Sequence, residues 1–500
     1  MMTTPVREDT RLSLWRRVRA YAVPPTMIET ATARRLAGDW AGACAAAGVD
    51  LDLTPRTLAR THGTELAARV RADLRRLAPD LLRWHLPRTA PDGLLRPGLT
   101  LTLAVYDGHQ GPGGREARPV HLVARTAPAW ADAGQRISLA LWDGPPAGTP
   151  PRRWRTDDPA AAHPHPHPST RFRLDLHRHL WDATRAAELR ARSGADRRPA
   201  LPAAPDAPPG PGWAVDRWAA EARLLLAADG TAAGPVLVRL AARHRLLVTP
   251  QPDGGVRTEP APTGRGRPGA VRGDRGDRRP AVLPDAAVWT PPDLELLRAG
   301  LVTPDDLHPL VAEALVPGHR GALGTGREPS ESGPRFVECQ GRRHRIGLVD
   351  GVLTPLDHDP AELRREALLV ALSGTPLPCL RAIDEAHRVP EGLSGVRERL
   401  AHGDTAGALA VVETLLGPDA TLRDGPLRRA LERAAERKVL HGLYRAGLRA
   451  TGPGAVPEPP PAAAPDPDHG RPRRTRRLRT TGPAPRPLDR RDHPRHALAR

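Results

Sequence analysis

Residues 336–372 read FVECQ-GR-RHRIGLV-DG-VLTPL-DHDPAELRREALLVAL, and this stretch decides the fold. Three short runs rich in apolar residues are separated by Gly341-Arg342 and Asp350-Gly351. Asp-Gly between two such runs is a two-residue hairpin signal, because both turn positions need positive φ. The third run passes into Asp359-Pro360-Ala361-Glu362, which has an N-cap, a proline at the first helical position and an acid at the third. The stretch predicts a three-stranded antiparallel meander feeding a helix over 360–372. Further helices are expected at 376–388, 393–402, 405–416 and 426–446.

Toward the N-terminus the pattern is more mixed. Residues 1–25 read as a flexible terminus with at most a short Arg-rich helix around Leu12–Ala20. Thr26 and Glu29 have capping-box spacing, and a helical hairpin is expected over 27–47. Leu66, Val70, Leu74 and Leu77 fall on one face of a helix over 64–78. LTLTLAVY (99–106), VHLVART (120–126) and ISLALW (137–142) then give a second meander. Helices are expected at 174–192 and 213–228, another opened by Gly234-Pro235, and a strand at 244–249. Thr290-Pro291 and Thr303-Pro304 each read as a cap followed by proline at the first helical position.

The fold class is α+β: two small antiparallel β-meanders packed against helical hairpins, with disordered linkers at 198–212 and 250–282 and a disordered Pro/Arg-rich tail from 451 to 500. The implied units are 26–145, a mixed helix/strand segment 171–250, a linker 251–283 and a C-terminal domain 284–450. One internal echo stands out. RLAGDWAGACA (35–45) matches RLAHGDTAGALA (399–410) with one insertion. In both, a glycine can end one helix and an aspartate can cap the next. Such G-D-x-x-G-A turns are similar to those of tetratricopeptide-type helical hairpins. Two copies so far apart do not make an array, because stacking needs contiguous repeats.

The formal net charge is +18 and the pI about 11.2. The chain has a single lysine, Lys438, and no asparagine, a profile typical of strong GC bias, which substitutes Arg for Lys whatever the function. Most of the excess charge lies in 256–280 and 471–500, and the rest is close to balanced. No apolar run reaches the roughly 18 residues of a membrane span. Three widely spaced cysteines, Cys44, Cys339 and Cys379, exclude a disulfide framework and a CxxC zinc module. A reduced, cytoplasmic location is expected.

Each chemical candidate has a structural account beside it. Asp384-Glu385-Ala386-His387 spells the DEAH box of the helicases it resembles, but no G-x-x-x-x-G-K-[ST] loop accompanies it, so it reads as helix surface. His163, His165 and His167, with His177 and His179 nearby, could bind a transition metal, yet alternating prolines favour an extended linker. Asp357-His358-Asp359 holds acid–base ingredients but also begins a helix. Cys339 and Cys379 flank that helix and could meet in space, and isolated cysteines are most often buried apolar groups. The expectation is therefore no catalytic residue, no cofactor and no metal ligand. Arg473, Arg474, Arg476, Arg477 and Arg479 are the one cluster suited to polyanion contact, without aromatic residues to stack on bases. The leading expectation is a non-catalytic protein that presents helical hairpins to a protein partner. The alternatives are non-specific nucleic-acid association through the Arg-rich tail and an enzyme of unrecognised type.

Overall fold

The computed structural model describes residues 10–448 apart from 109–117, 132–134, 145–162, 164, 197–211, 242–243, 253, 262–279, 320–334, 340, 374–376, 391 and 419. Helices and small, mainly antiparallel sheets make up an α+β fold, as the sequence predicts. No helix among the described residues is long and apolar enough to cross a membrane.

The described residues begin with α1 (Thr10–Tyr21), α2 (Pro25–Leu36) and α3 (Trp40–Ala46). α1 is the short Arg-rich helix, and Leu14 and Val18 bury it in the core, so 10–21 is not a loose terminus. Thr26 does not cap α2. The helix starts at Pro25, and the Thr26 carbonyl accepts from the Thr30 hydroxyl at 2.7 Å within it. After β1 (Val49–Leu51) come α4 (Pro55–His62), α5 (Thr64–Arg76) and α6 (Pro79–His85). α5 buries Leu66, Val70 and Leu74 as its spacing demands, and α6 is buried from Pro79 to Trp84. β2 (Thr100–Tyr106), β3 (Val120–Thr126) and β4 (Ile137–Trp142) form the expected meander. β1 extends it by pairing parallel to β4.

Three expectations fail in the middle of the chain. The helix over 174–192 is two 3-10 turns, Arg178–Leu180 and Ala183–Glu188, leading into α7 (Leu189–Ser193). Asp182 interrupts it: extended at ψ 112, it accepts from the Thr184 amide at 3.0 Å and starts a new turn. After α8 (Trp218–Ala228), the segment following Gly234-Pro235 is strand β5 (Val236–Arg239), because VLVR alternates and buries Val236 and Val238 on one face. β6 (Arg245–Pro250), β7 (Val256–Pro260) and β8 (Ala281–Val282) complete a sheet of order β7-β6-β5-β8. Residues 256–260 and 281–282, expected in a disordered linker, are thus ordered by backbone pairing to β6 and β5. The other expected disordered segments fall almost wholly outside the described residues.

The body of the molecule closes with α9 (Asp285–Val288), α10 (Pro292–Arg298) and α11 (Pro309–Leu315). Thr303-Pro304 starts only a single 3-10 turn, with a capping box closed by Asp306 at 2.8 Å. The C-terminal module follows the sequence closely. β9 (Arg335–Cys339), β10 (Arg342–Val349) and β11 (Val352–Pro355) form the meander, and Asp350 and Gly351 take φ 49 and 77 at its turn. Then come α12 (Pro360–Ser373), α13 (Pro378–Arg388), α14 (Leu393–His402), α15 (Thr405–Leu416) and α16 (Pro426–Arg445).

The internal echo is real at atomic level, but its alignment shifts by one residue. Arg34, not Arg35, corresponds to Arg399, so no insertion is needed. Asp39 accepts from Gly42 N at 2.8 Å and from Arg34 at 2.9 Å, and Asp404 accepts from Gly407 N at 2.9 Å and from Arg399 at 2.8 Å. Gly38 and Gly403 both sit in the left-handed region, at φ 79 and 88. The body and the module meet at Arg83. This wholly buried guanidinium donates to the carbonyls of Ala22 at 3.0 Å, His402 at 2.8 Å and Gln135.

Candidate functional site

A cavity of about 590 Å³ lies in the body among α1, α6, the 86–91 segment, β2, the 171–174 strand-like segment and the start of α9. That volume suits a small organic ligand. Its walls are broad apolar and aromatic surfaces, notably Trp15, Trp84, Leu101, Phe172, Leu174 and Trp289. Ala90 and Pro91 are exposed at its edge. The walls come together because α6 is buried along its length and holds Trp84 against Arg19, whose guanidinium carbon lies 4.3 Å from the indole centroid.

Arginines surround this apolar space, and all but one have a carboxylate. Arg19 makes a bidentate pair with the fully buried Asp293 at 2.7 and 2.8 Å, and Trp84 Nε1 donates to the same carboxylate at 3.1 Å. Arg171 makes a second bidentate pair, with Asp285 at 3.0 and 2.6 Å. Burial raises the Asp285 carboxyl above its ordinary range, and Arg171 opposes that shift. Arg11 pairs with Glu295, Arg17 with Glu398, and Arg173 with Asp175 and Asp229.

Arg88 is the exception. It is wholly buried in the wall, and Nη2 donates to the Arg83 carbonyl at 2.6 Å. Nε and Nη1 have no acceptor among the described residues, and no carboxylate pairs with the group there. Burial, followed by the positive charges of Arg83 and Arg19, pulls its pKa well below the ordinary value. Beside it His85 also lines the cavity, and its Nε2 lacks a partner among the described residues. Burial lowers His85 to about 3, which leaves a neutral imidazole at physiological pH. An unpaired buried charge is costly, and Arg88 is the arginine of this lining left in that state among the described residues.

The sequence candidates mostly disperse. In the DEAH string, Asp384 pairs with Arg388 at 2.7 Å and with Arg423, which holds its carboxyl below the usual range on the surface of α13. His163 Nε2 lies 3.0 Å from the Thr126 carbonyl, His167 stacks edge-on to Trp142, and His177 bonds Glu221 at 3.1 Å, so these rings serve separate partners. Asp359 caps α12 through the Ala361 amide at 2.9 Å, and Asp357 binds Arg345 and is lowered to about 2 by it. Arg473, Arg474, Arg476, Arg477 and Arg479 lie outside the described residues.

Cys339 and Cys379, which the sequence allows to meet, do converge, and His344 and His358 join them. One donor atom from each of Cys339, His344, His358 and Cys379 lies within 4.8 Å of all the others. Burial, then the adjacent Cys339 thiol, pushes the Cys379 thiol up to about 12. Among the described residues this is the only cluster of three or more such groups that could hold a metal ion. Sequence reasoning missed Arg88 and the aromatic walls. The signal was LLRWHLPR (81–88), where two arginines interrupt a run that has to be buried. Compared with known families, curated proteins and solved structures, the chain matches none.

Proposed function

We propose that the chain is a non-catalytic binding protein whose cavity takes an organic anion with a broad apolar or aromatic body. Arg88 carries this reading: it is a wholly buried cation in the lining of an aromatic cavity, its Nε and Nη1 have three N–H bonds without an acceptor among the described residues, and a small shift of the wall would open them to a ligand. A carboxylate, sulfonate or phosphate would supply the missing counter-charge, and the tryptophans would enclose the apolar part. Among the described lining residues His85 is held neutral and Asp285 is engaged by Arg171.

Two fluorescent probes of similar body separate charge from hydrophobicity. Anilinonaphthalene sulfonate should bind saturably, and neutral phenylnaphthylamine more weakly. Arg88→Met keeps most of the apolar stem and should weaken the sulfonate by about 10-fold or more, the loss expected for a charged hydrogen bond. It should leave the neutral probe unchanged. The same change should raise the ligand-free stability by about 1–4 kcal/mol, because it removes an uncompensated buried charge. Equal sulfonate binding by both forms, together with unchanged or lower stability, refutes this reading.

A second reading, binding of a protein partner, is favoured by the apolar side chains exposed on the C-terminal module. They include Val352 at 60%, Leu368 at 69% and Val439 at 63%. It requires a defined partner whose copurification Val352→Asp abolishes while probe binding in the cavity stays intact.

A further inference from the structure

We infer that Cys339, His344, His358 and Cys379 bind one zinc ion that clasps the β9–β11 meander to α13. The four donors come from four separate pieces of local structure. Cys339 ends β9, His344 lies on β10, His358 sits in the turn before α12, and Cys379 is the second residue of α13. Two thiolates and two imidazoles form a set that suits tetrahedral zinc, and four protein ligands leave no open position, as in structural rather than catalytic sites. Cys339, His358 and Cys379 are buried and His344 is half-buried, so the ion would be shielded from water.

The surroundings point the same way. His344 Nδ1 and His358 Nε2 face each other at 2.7 Å. Around an ion with bonds of about 2.05 Å, two such nitrogens stand roughly 3.3 Å apart, so the rings need to separate only slightly. The other nitrogen of His358, Nδ1, lies 3.3 Å from Glu362 Oε2. That is the carboxylate–imidazole–metal arrangement that fixes the tautomer and aims Nε2 at the ion. Cys379 occupies the first turn of an 11-residue helix, which fixes the position of its sulfur. On binding, each thiol gives its proton to solvent, so one Zn²⁺ is exchanged for two H⁺.

The meander also has little else to hold it. Among its apolar side chains Cys339, Ile346 and Pro355 are buried, whereas Phe336, Leu348, Val349 and Val352 are exposed. The module's hydrophobic cluster comes from helices and their connections, with only Leu353 of the sheet packed against it. Three short strands with so little apolar burial need another fastening.

The experiment uses the full chain purified without chelator. Metal analysis should find zinc at one per chain, and Co²⁺ exchanged into the metal-free protein should give the intense visible bands of a tetrahedral thiolate site. Cys379→Ala should lose the metal, and Cys44→Ala, in the body, should keep it. Glu362→Gln keeps every ligand and should weaken zinc by about 10- to 100-fold in chelator competition. All ten tryptophans lie at or before Trp289, so their fluorescence reports whether the body of each variant is folded. No stoichiometric zinc and no cobalt bands from a folded chain would overturn the inference. A Cys339–Cys379 disulfide in the purified protein, or equal metal loss in Cys44→Ala, would do the same.

Discussion

The body of the chain and its C-terminal module are built from the same kinds of element but held by different forces. The body has two extensive apolar clusters, the larger one running from Leu14 to Leu315 with Trp84 and Trp181 buried in it, the other centred on Trp218 and β5–β6. The module's cluster is small, and its sheet leaves most apolar residues exposed. The paired hairpins show the contrast in miniature. The same Arg–Asp–Gly cap appears twice, yet the Asp39 side chain is 44% exposed and that of Asp404 8%. Identical local grammar serves a wet surface in one place and a packed seam in the other.

Three expectations test this contrast. The largest concerns how each region fails. If apolar burial holds the body and zinc fastens the meander to α13, chelation should expose the amides of β9–β11 to hydrogen exchange and lower the module's melting temperature, while tryptophan fluorescence stays that of a folded body. Leu82→Ala should do the reverse, costing about 2–5 kcal/mol in a fluorescence-monitored melt because it opens a cavity in a close-packed core. Joint loss of both signals on chelation would mean that the two regions fold as one unit.

The second is acid. Burial lowers His85 to about 3, His163 to about 4 and His402 to about 3. All three are favoured as neutral rings in the fold, while the unfolded chain titrates near 6.5. Between pH 6.5 and roughly 4 the unfolded state therefore binds more protons, and stability falls as pH falls. His85 and His163 belong to the body, so the urea midpoint seen by tryptophan fluorescence should drop from pH 7 to pH 5 even with zinc in excess. A flat profile would mean that these rings are not buried as described.

The smallest is the twin caps. Asp39→Ala and Asp404→Ala both remove a capping acceptor, worth about 0.5–2 kcal/mol. Each loss strands an arginine, and the loss at Asp404 should be the larger because its partners are left where water reaches them less. Equal melting shifts would show that the cap alone sets the cost.

Legibility in the sequence follows the same division. The module's helices and strands could be read almost to the residue, because its signals are local: Asp350-Gly351, Asp359-Pro360, Gly403-Asp404. In the body, long-range pairing decides the outcome. β1 is three residues long and exists because β4 lies beside it, and VLVR after Gly234-Pro235 becomes a strand through β6 and β8. The cavity was illegible for that reason, and of the four-residue cluster only the meeting of the two cysteines could be expected. Cys339 and Cys379 lie 40 positions apart in the chain with no recognised spacing, and Arg88 is notable only once the residues around it are known to be buried.

Arg83 has a consequence for the order of events in the cell. Its third nitrogen, Nη2, donates an N–H to the carbonyl of His402, 319 residues further along the chain. On a ribosome, α6 emerges long before α14 exists, so during most of synthesis that N–H is left to water at an unfinished edge. Arrival of the second hairpin completes the set of three carbonyls and dries the seam. A nascent chain halted before α14 should therefore carry a protease-sensitive edge around 83 that disappears once residue 402 has been made.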